Sequence, residues 1–224
     1  MKKCYIVGAG DFYGSFQRKD DDVVIAADGG LLHLLRLGIK PDIVLGDFDS
    51  LGEDNFSNLE GVFGGCNDAL CIKEFVSGAR IIRYPVEKDE TDTHLAYRIG
   101  AELGCDEFYI YGGVGGREDH TFANYCLLVS AKSEGKQTYL YNNNSRVYAI
   151  KSERIELVGE EGKTVSIFAF GTDATGVSVK GLKYEAENIT VAADNAIGVS
   201  NSHTSAGKGY VSVLSGTLLV FEEL

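Results

Sequence analysis

The chain is short of positive charge: 21 Lys and Arg stand against 33 Asp and Glu, a formal net charge of −12 over 224 residues. That balance excludes a sequence-independent grip on nucleic acid or on an anionic membrane, both of which need a basic face. No apolar run approaches the roughly 18 residues of a membrane span, and residues 1–8 hold too brief an apolar stretch for a secretion signal. The five cysteines, at positions 4, 66, 71, 105 and 126, are odd in number and lack the paired C-x-x-C spacing of a zinc site. Reduced thiols in the cytoplasm are the expectation. Internal repeats and low-complexity tracts are absent too. What is present is an ordinary globular composition, long enough for one large domain or two small ones.

Through the first 141 residues, short apolar runs alternate with stretches of helical spacing. Strands are expected at 4–8, 23–27, 43–45, 80–84, 107–111 and 138–141, and helices at 31–37, 93–103 and 120–132. A repeated β-α order predicts a parallel sheet covered by helices. After Asn142-Asn143-Asn144 the character changes to short alternating segments between glycines and turn residues. Those at 147–150, 155–158, 164–169, 176–179, 198–201, 209–214 and 217–221 read as strands at sandwich-like spacing. The expected fold class is therefore α/β, with an N-terminal parallel-sheet, Rossmann-like domain over 1–141 and a C-terminal all-β sandwich over 142–224.

The first domain is organised around Ile43-Val44-Leu45-Gly46-Asp47-Phe48-Asp49-Ser50, an apolar strand ending in two aspartates. Residues two apart in an extended chain project to the same side, so Asp47 and Asp49 crowd one point on the carboxyl edge, where open α/β sheets bind ligands. A divalent cation such as Mg²⁺ keeps such a pair ionised; the alternative is a polar turn whose aspartates cap the next helix. A second acidic stretch, Pro85-Val86-Glu87-Lys88-Asp89-Glu90-Thr91-Asp92, falls on the same edge. Asp89, Thr91 and Asp92 either cap the following helix or complete a metal's oxygen shell.

Two glycine-rich turns complete that edge. Gly112-Gly113-Val114-Gly115-Gly116-Arg117-Glu118-Asp119-His120 is not a Walker A loop, but its amides can cradle phosphates and Arg117 can add a forked contact. Otherwise it is a flexible turn with an Asp119 cap. Beside two acidic loops, it reads as part of a nucleoside triphosphate site. Gly8-Ala9-Gly10-Asp11-Phe12-Tyr13-Gly14 has G-x-G-x-x-x-G spacing, a weak dinucleotide signal; Asp28 after the second strand could hold a ribose hydroxyl, with Gly29 and Gly30 allowing close backbone approach.

In order and spacing, Gly46 through Ser50, Pro85 through Asp92 and Gly115 through His120 together resemble the thiamine pyrophosphokinase family. Gly181-Leu182-Lys183-Tyr184 and Val199-Ser200-Asn201 resemble its C-terminal elements, so the likeness spans essentially the whole chain. The resemblance implies transfer of pyrophosphate from ATP to the thiamine hydroxyl, giving thiamine diphosphate and AMP, with Mg²⁺ as cofactor. It also implies a homodimer whose site forms between the α/β domain of one subunit and the sandwich of the other. By motif position, Asp47, Asp49 and Asp92 would hold Mg²⁺; a carboxylate close to the thiamine hydroxyl could act as general base, with Asp92 or Asp119 as the candidates. Asp28, Gly29, Lys88, Asp89, Thr91, Gly116, Arg117 and His120 would bind ATP, and Tyr184, Ser200 and Asn201 would bind thiamine. Tyr184 stands where many members carry tryptophan; its ring either stacks on the thiazolium or is a core tyrosine.

Two rivals bound this expectation. Asp47-Phe48-Asp49-Ser50 also resembles the nucleophile loop of haloacid-dehalogenase-type phosphatases, with Asp47 phosphorylated and Asp49 as acid-base, although that family places the loop after its first strand and here two strands precede it. The other rival is a non-catalytic thiamine- or nucleotide-binding protein. The connection over 53–77 matches no feature of the family's pattern.

Overall fold

A computed structural model describes residues 1–46, 76–84 and 89–224. Asp47, Asp49 and Lys88, each expected at the site, lie outside the described residues, as does most of the 53–77 connection. The chain divides into two compact units, Met1–Asn124 and Tyr125–Leu224.

The first unit is built on five parallel strands: β1 (Lys3–Val7), β2 (Val23–Ala27), β3 (Ile43–Gly46), β4 (Arg80–Arg83) and β5 (Glu107–Tyr111). Their order in the sheet is β5-β1-β2-β3-β4. β2 and β3 are buried at every position and β1 at all but its first, which is why they read as unbroken apolar runs instead of alternating ones. Helix α1 (Gly30–Leu37) stops at Gly38, whose left-handed backbone lets its N–H reach back to the helix carbonyls. Helix α2 (Asp92–Glu102) starts where Thr91 Oγ1 accepts the His94 amide at 3.2 Å. From β1 the chain steps outward through β2, β3 and β4, then returns to β5 on the opposite side of β1. The loops that follow β1 and β5 therefore leave the sheet in opposite directions, and open α/β sheets form their ligand crevice at such a reversal.

Helix α3 (Glu118–Ser133) begins in the first unit and ends in the second. The second unit contains nine strands among the described residues, β6 (Gln137–Tyr141), β7 (Ser145–Lys151), β8 (Arg154–Val158), β9 (Thr164–Ala169), β10 (Ala174–Lys180), β11 (Ala186–Val191), β12 (Asn201–Ser202), β13 (Lys208–Ser212) and β14 (Thr217–Glu223). They pair antiparallel in the orders β12-β9-β14-β7-β6 and β11-β10-β13-β8. One apolar cluster draws on both sets, with Ile150, Ile167 and Leu218 from the first and Leu157, Val177 and Val211 from the second.

Two features of this unit differ from the sequence expectation. Strand β11 was not anticipated: it carries Glu187 and Asn188 in its exposed half, which breaks the alternation that marks a half-buried strand. The strand expected at 198–201 pairs only from Asn201, because Ser200 adopts a left-handed φ of 59° that interrupts extended backbone. No helix among the described residues is long and apolar enough to cross a membrane.

Candidate functional site

A cleft of about 720 Å³ opens at the carboxyl edge of the parallel sheet, where the strand order reverses. The loops after β1, β2 and β5 and the N-terminus of α2 form its walls, with His33 and Arg36 from α1 and His120 and Asn124 from α3.

Its two glycine-rich loops are locked together. The amide of Gly8 donates to Tyr111 O at 2.8 Å, that of Gly10 to Gly112 O at 2.8 Å, and that of Asp11 to Val114 O at 2.7 Å. The approach tolerates no side chain: a Cβ on Gly8 would lie 2.7 Å from Gly112 O, and Gly112 itself has φ 62°. The amides of Gly8, Gly10 and Asp11 are thus committed to carbonyls, so they do not present the inward N–H groups of a dinucleotide fingerprint. The β5 loop is in the opposite state. Among the described residues, no hydrogen bond takes the amides of Gly113, Val114, Gly115 or Gly116. Those amides lead directly into the N-terminus of α3, where unpaired N–H groups and the helix dipole both favour an anion. From below, the buried side chain of Asn124 holds the loop by donating Nδ2–H to Gly113 O at 2.7 Å.

Arg117 adds charge at the rim. Its Nη2 lies 2.6 Å from Asp119 Oδ2 and its Nε 3.1 Å from Oδ1, while the His120 amide donates to Oδ1 at 3.0 Å. The Arg117 bonds, aided by the His120 amide, pull the Asp119 carboxyl down to about 2. Both partners are exposed, so solvent screens the pair heavily. Arg117, His120 and Gly116 line the cleft; Asp119 sits beside it.

The remaining expected residues fall as follows. Asp28 and Asp92 both line the cleft, as does Thr91. Asp28 has a left-handed φ of 50°, with its amide on Leu45 O at 2.8 Å, a costly conformation of the kind that clusters at functional sites. β3 ends beside it: a Cβ on Gly46 would stand 3.2 Å from Asp28 Cα. Gly29 is the N-cap of α1 and packs against Ala9. Asp89 is exposed ahead of α2, where neighbouring Glu90 pairs with Arg98 at 3.1 Å. Among the described residues, no group of three His, Cys, Asp or Glu side chains is placed to hold a metal.

Sequence reasoning missed Phe12, His33, Arg36 and Asn124. The available signal was helical spacing: His33 and Arg36 are three apart on α1, and His120 and Asn124 are four apart on α3, so each pair shares a helix face. His33 Nε2 lies 2.9 Å from Gly10 O, and its ring stacks on Phe12 at 5.2 Å. Burial lowers the His33 pKa, partly offset by the bond to Gly10.

In the second unit, Tyr184 is 61% exposed, which removes the core-tyrosine alternative. Asn201 orients it: the Tyr184 amide donates to Asn201 Oδ1 at 2.9 Å and Asn201 Nδ2 donates to Tyr184 O at 2.7 Å. Ser200 is held by its amide on Ser166 Oγ at 3.0 Å. Tyr184 and Asn201 border an apolar pocket of about 150 Å³ with Ile197 and Val199 at its rim. The ammonium of Lys183 lies 5.2 Å from the centre of the Tyr184 ring, within cation–π reach.

Residues 17–140 match the family described as thiamin pyrophosphokinase, catalytic domain, and residues 148–218 match thiamin pyrophosphokinase, vitamin B1 binding domain. The thiamine pyrophosphokinase of Bacillus subtilis (strain 168) is 27% identical over 197 residues, covering 88% of this chain and 85% of the relative. Thiamine pyrophosphokinase 1 of Oryza sativa subsp. japonica is 24% identical over 179 residues, covering 75% of this chain and 61% of the relative. In fold, the chain is similar to the crystal structure of thiamine pyrophosphokinase from Bacillus subtilis, with a TM-score of 0.84 at 22% identity over 100% of this chain and 99% of that one. It is also similar to thiamin pyrophosphokinase from Candida albicans, with a TM-score of 0.72 at 16% identity over 99% and 89% of the respective chains. With the catalytic-domain match alone spanning more than half of its length, the chain belongs to the thiamin pyrophosphokinase family.

Proposed function

We propose that the protein transfers a diphosphate group from ATP to the hydroxyl of thiamine, giving thiamine diphosphate and AMP. The observation that carries this reading is the row of uncommitted amides at Gly113–Gly116, running into α3 beside Arg117, in a chain whose matched catalytic domain contains it. Such an array suits a polyphosphate, because preorganised N–H groups and a guanidinium stabilise charge without reorganising as the transfer proceeds.

In this reading the first unit corresponds to a Rossmann-like nucleotide domain and the two antiparallel sheets of the second to a β-sandwich that takes thiamine, with the functional boundary near residue 142. Asp28, Gly29, Asp89, Thr91, Gly116, Arg117 and His120 serve the nucleotide, together with Lys88. The exposed face of Tyr184 suits the positively charged thiazolium, a contact worth about 1–2 kcal/mol once desolvated. Ser200 and Asn201 shape that end of the pocket. Asp92 on the cleft wall, with Asp47 and Asp49, forms a hard carboxylate set of the type that holds Mg²⁺. When bound, the ion supplies charge neutralisation on the phosphates. Asp92 or Asp119 accepts the proton of the thiamine hydroxyl; Asp119 gains basicity only when Arg117 turns from it toward phosphate. The reading includes a homodimer with thiamine and ATP brought together between subunits, and a cytoplasmic setting, which the free Cys4, Cys105 and Cys126 suit.

Neither a phosphatase using Asp47 as nucleophile nor a binding protein without catalysis draws support from a match to a catalytic domain of this family. The test is incubation with thiamine, ATP and Mg²⁺, a no-thiamine control and chromatography of the products. Thiamine-dependent AMP with thiamine diphosphate is expected, and chelation of the metal should abolish it. ADP with thiamine monophosphate, or phosphate release without thiamine, would refute the reading.

A further inference from the structure

We infer that His33 is a positioning residue for the anion cradle: its imidazole holds the Gly10 carbonyl, and Gly10 in turn sets the position of the loop that carries the Gly113–Gly116 amides. The inference rests on reading those amides as a polyphosphate site.

The connection is short and made of named bonds. Nε2 of His33, on α1, lies 2.9 Å from Gly10 O. A carbonyl only accepts, so the ring must donate, which assigns the proton to Nε2. Gly10 then passes the constraint on: its own amide donates to Gly112 O at 2.8 Å and the next amide, of Asp11, donates to Val114 O at 2.7 Å. Gly112 and Val114 flank Gly113, the first residue of the cradle. The ring reaches the same strand by a second route, since Phe12, stacked on His33 at 5.2 Å, also packs on Tyr111 at 5.5 Å, and Tyr111 ends β5 immediately before the cradle loop. Two loops with glycines at the contact have little stiffness of their own, so a donor anchored on a helix supplies it. His33 needs no contact with substrate for this role. Imidazole and imidazolium both carry Nε2–H, so the tie itself does not depend on protonation.

Two variants separate the hydrogen bond from ring packing. His33→Phe keeps an aromatic ring against Phe12 and loses the donor; His33→Gln keeps a donor and loses the ring. Binding of inorganic tripolyphosphate is measured by calorimetry, with steady-state kinetics in ATP and in thiamine and a melting curve for each protein. Losing one neutral hydrogen bond predicts a rise of about three- to ten-fold in the tripolyphosphate Kd and the ATP KM of His33→Phe. Its thiamine KM and kcat should stay within about two-fold, and His33→Gln should bind like the parent, because the cradle is displaced and not dismantled. Parent-like affinity in His33→Phe overturns the inference, and so does a loss in His33→Gln as large as that in His33→Phe, which would mean that a donor at this position does not by itself hold the loop. If His33→Phe fails to fold, His33→Leu, which also lacks a donor, takes its place: tripolyphosphate binding about three-fold or more weaker than in His33→Gln supports the inference, and equal binding in the two overturns it. Failure of the unmodified protein to bind tripolyphosphate while still forming thiamine diphosphate would remove the cradle reading and this inference with it, an outcome recognisable because the parent itself shows it.

Discussion

Arg117 and Asp119 form a two-pronged ion pair at the start of α3, Nη2 to Oδ2 at 2.6 Å and Nε to Oδ1 at 3.1 Å. The pair joins two groups that the proposed reaction would use separately, the guanidinium for phosphate and the carboxylate for a proton. Paired in this way, each restrains the other.

Replacing Arg117 with Gln releases the carboxylate. Asp119, held at about 2 in the native protein, should then titrate higher, toward the ordinary value of about 3.9, with the His120 amide still holding it below that value, read by carbon NMR of the side chain. The sign follows from the depressed native value: whatever stability the pair contributes is present above the ordinary pKa and is lost as pH falls through about 2. Asp119 of the unmodified protein, measured without nucleotide, should therefore remain ionised at pH 4, whereas in Arg117→Gln it should be measurably protonated there. The same variant should raise the ATP KM.

Asn124→Ala removes the donor to the buried side of the cradle loop. With Gly113 O left without that partner, the expected loss is about 1–3 kcal/mol of stability, measured by urea unfolding. Weaker tripolyphosphate binding should accompany it, since the loop loses the bond that holds it from below.

His203 is 2% exposed, and among the described residues neither ring nitrogen has a hydrogen-bond partner. Its backbone is well tied, with its amide on Lys163 O at 2.9 Å and its carbonyl accepting the Gly162 amide at 3.0 Å. His203→Leu, which keeps those bonds and removes two unsatisfied polar atoms, should be neutral or stabilising by up to about 1 kcal/mol. Gly159→Ala should do the reverse, because its Cβ would meet the His203 ring at 2.5 Å. Melting temperatures that move in opposite directions would bear this out; a clear loss in His203→Leu would count against it.

Tyr184 is exposed and its position depends on Asn201, so Tyr184→Ala should leave the melting temperature unchanged. The thiamine KM should rise about five- to thirty-fold with the loss of a cation–π face, and Tyr184→Trp should restore it. An unchanged thiamine KM in the alanine variant would separate Tyr184 from thiamine.

Much of the fold and part of the site were legible in the sequence for identifiable physical reasons. β2 and β3 are covered on both faces, so apolar runs alone mark them, and the β-α alternation predicts the parallel pairing. Arg117, Asp119 and His120 follow a glycine run at a strand end, a local arrangement that needs no tertiary knowledge. β11 was hidden because an edge strand with polar residues lacks the alternation that burial imposes.

The sequence by itself determined which residue types the loops carry at the carboxyl edge, acids, glycines and Arg117 among them, each positioned by where a strand must end. Only the tertiary structure decided what those groups are free to do. The loops after β1 and β5 are similarly rich in glycine, yet Gly8, Gly10 and Asp11 of the first have their amides bound to carbonyls of Tyr111, Gly112 and Val114, and among the described residues no hydrogen bond takes the amides of Gly113–Gly116. His33 and Gly10 are 23 residues apart, and Asn124 and Gly113 are 11 apart. Nothing local marks such pairs, because a hydrogen bond between distant segments exists only once the strand order has brought their loops together.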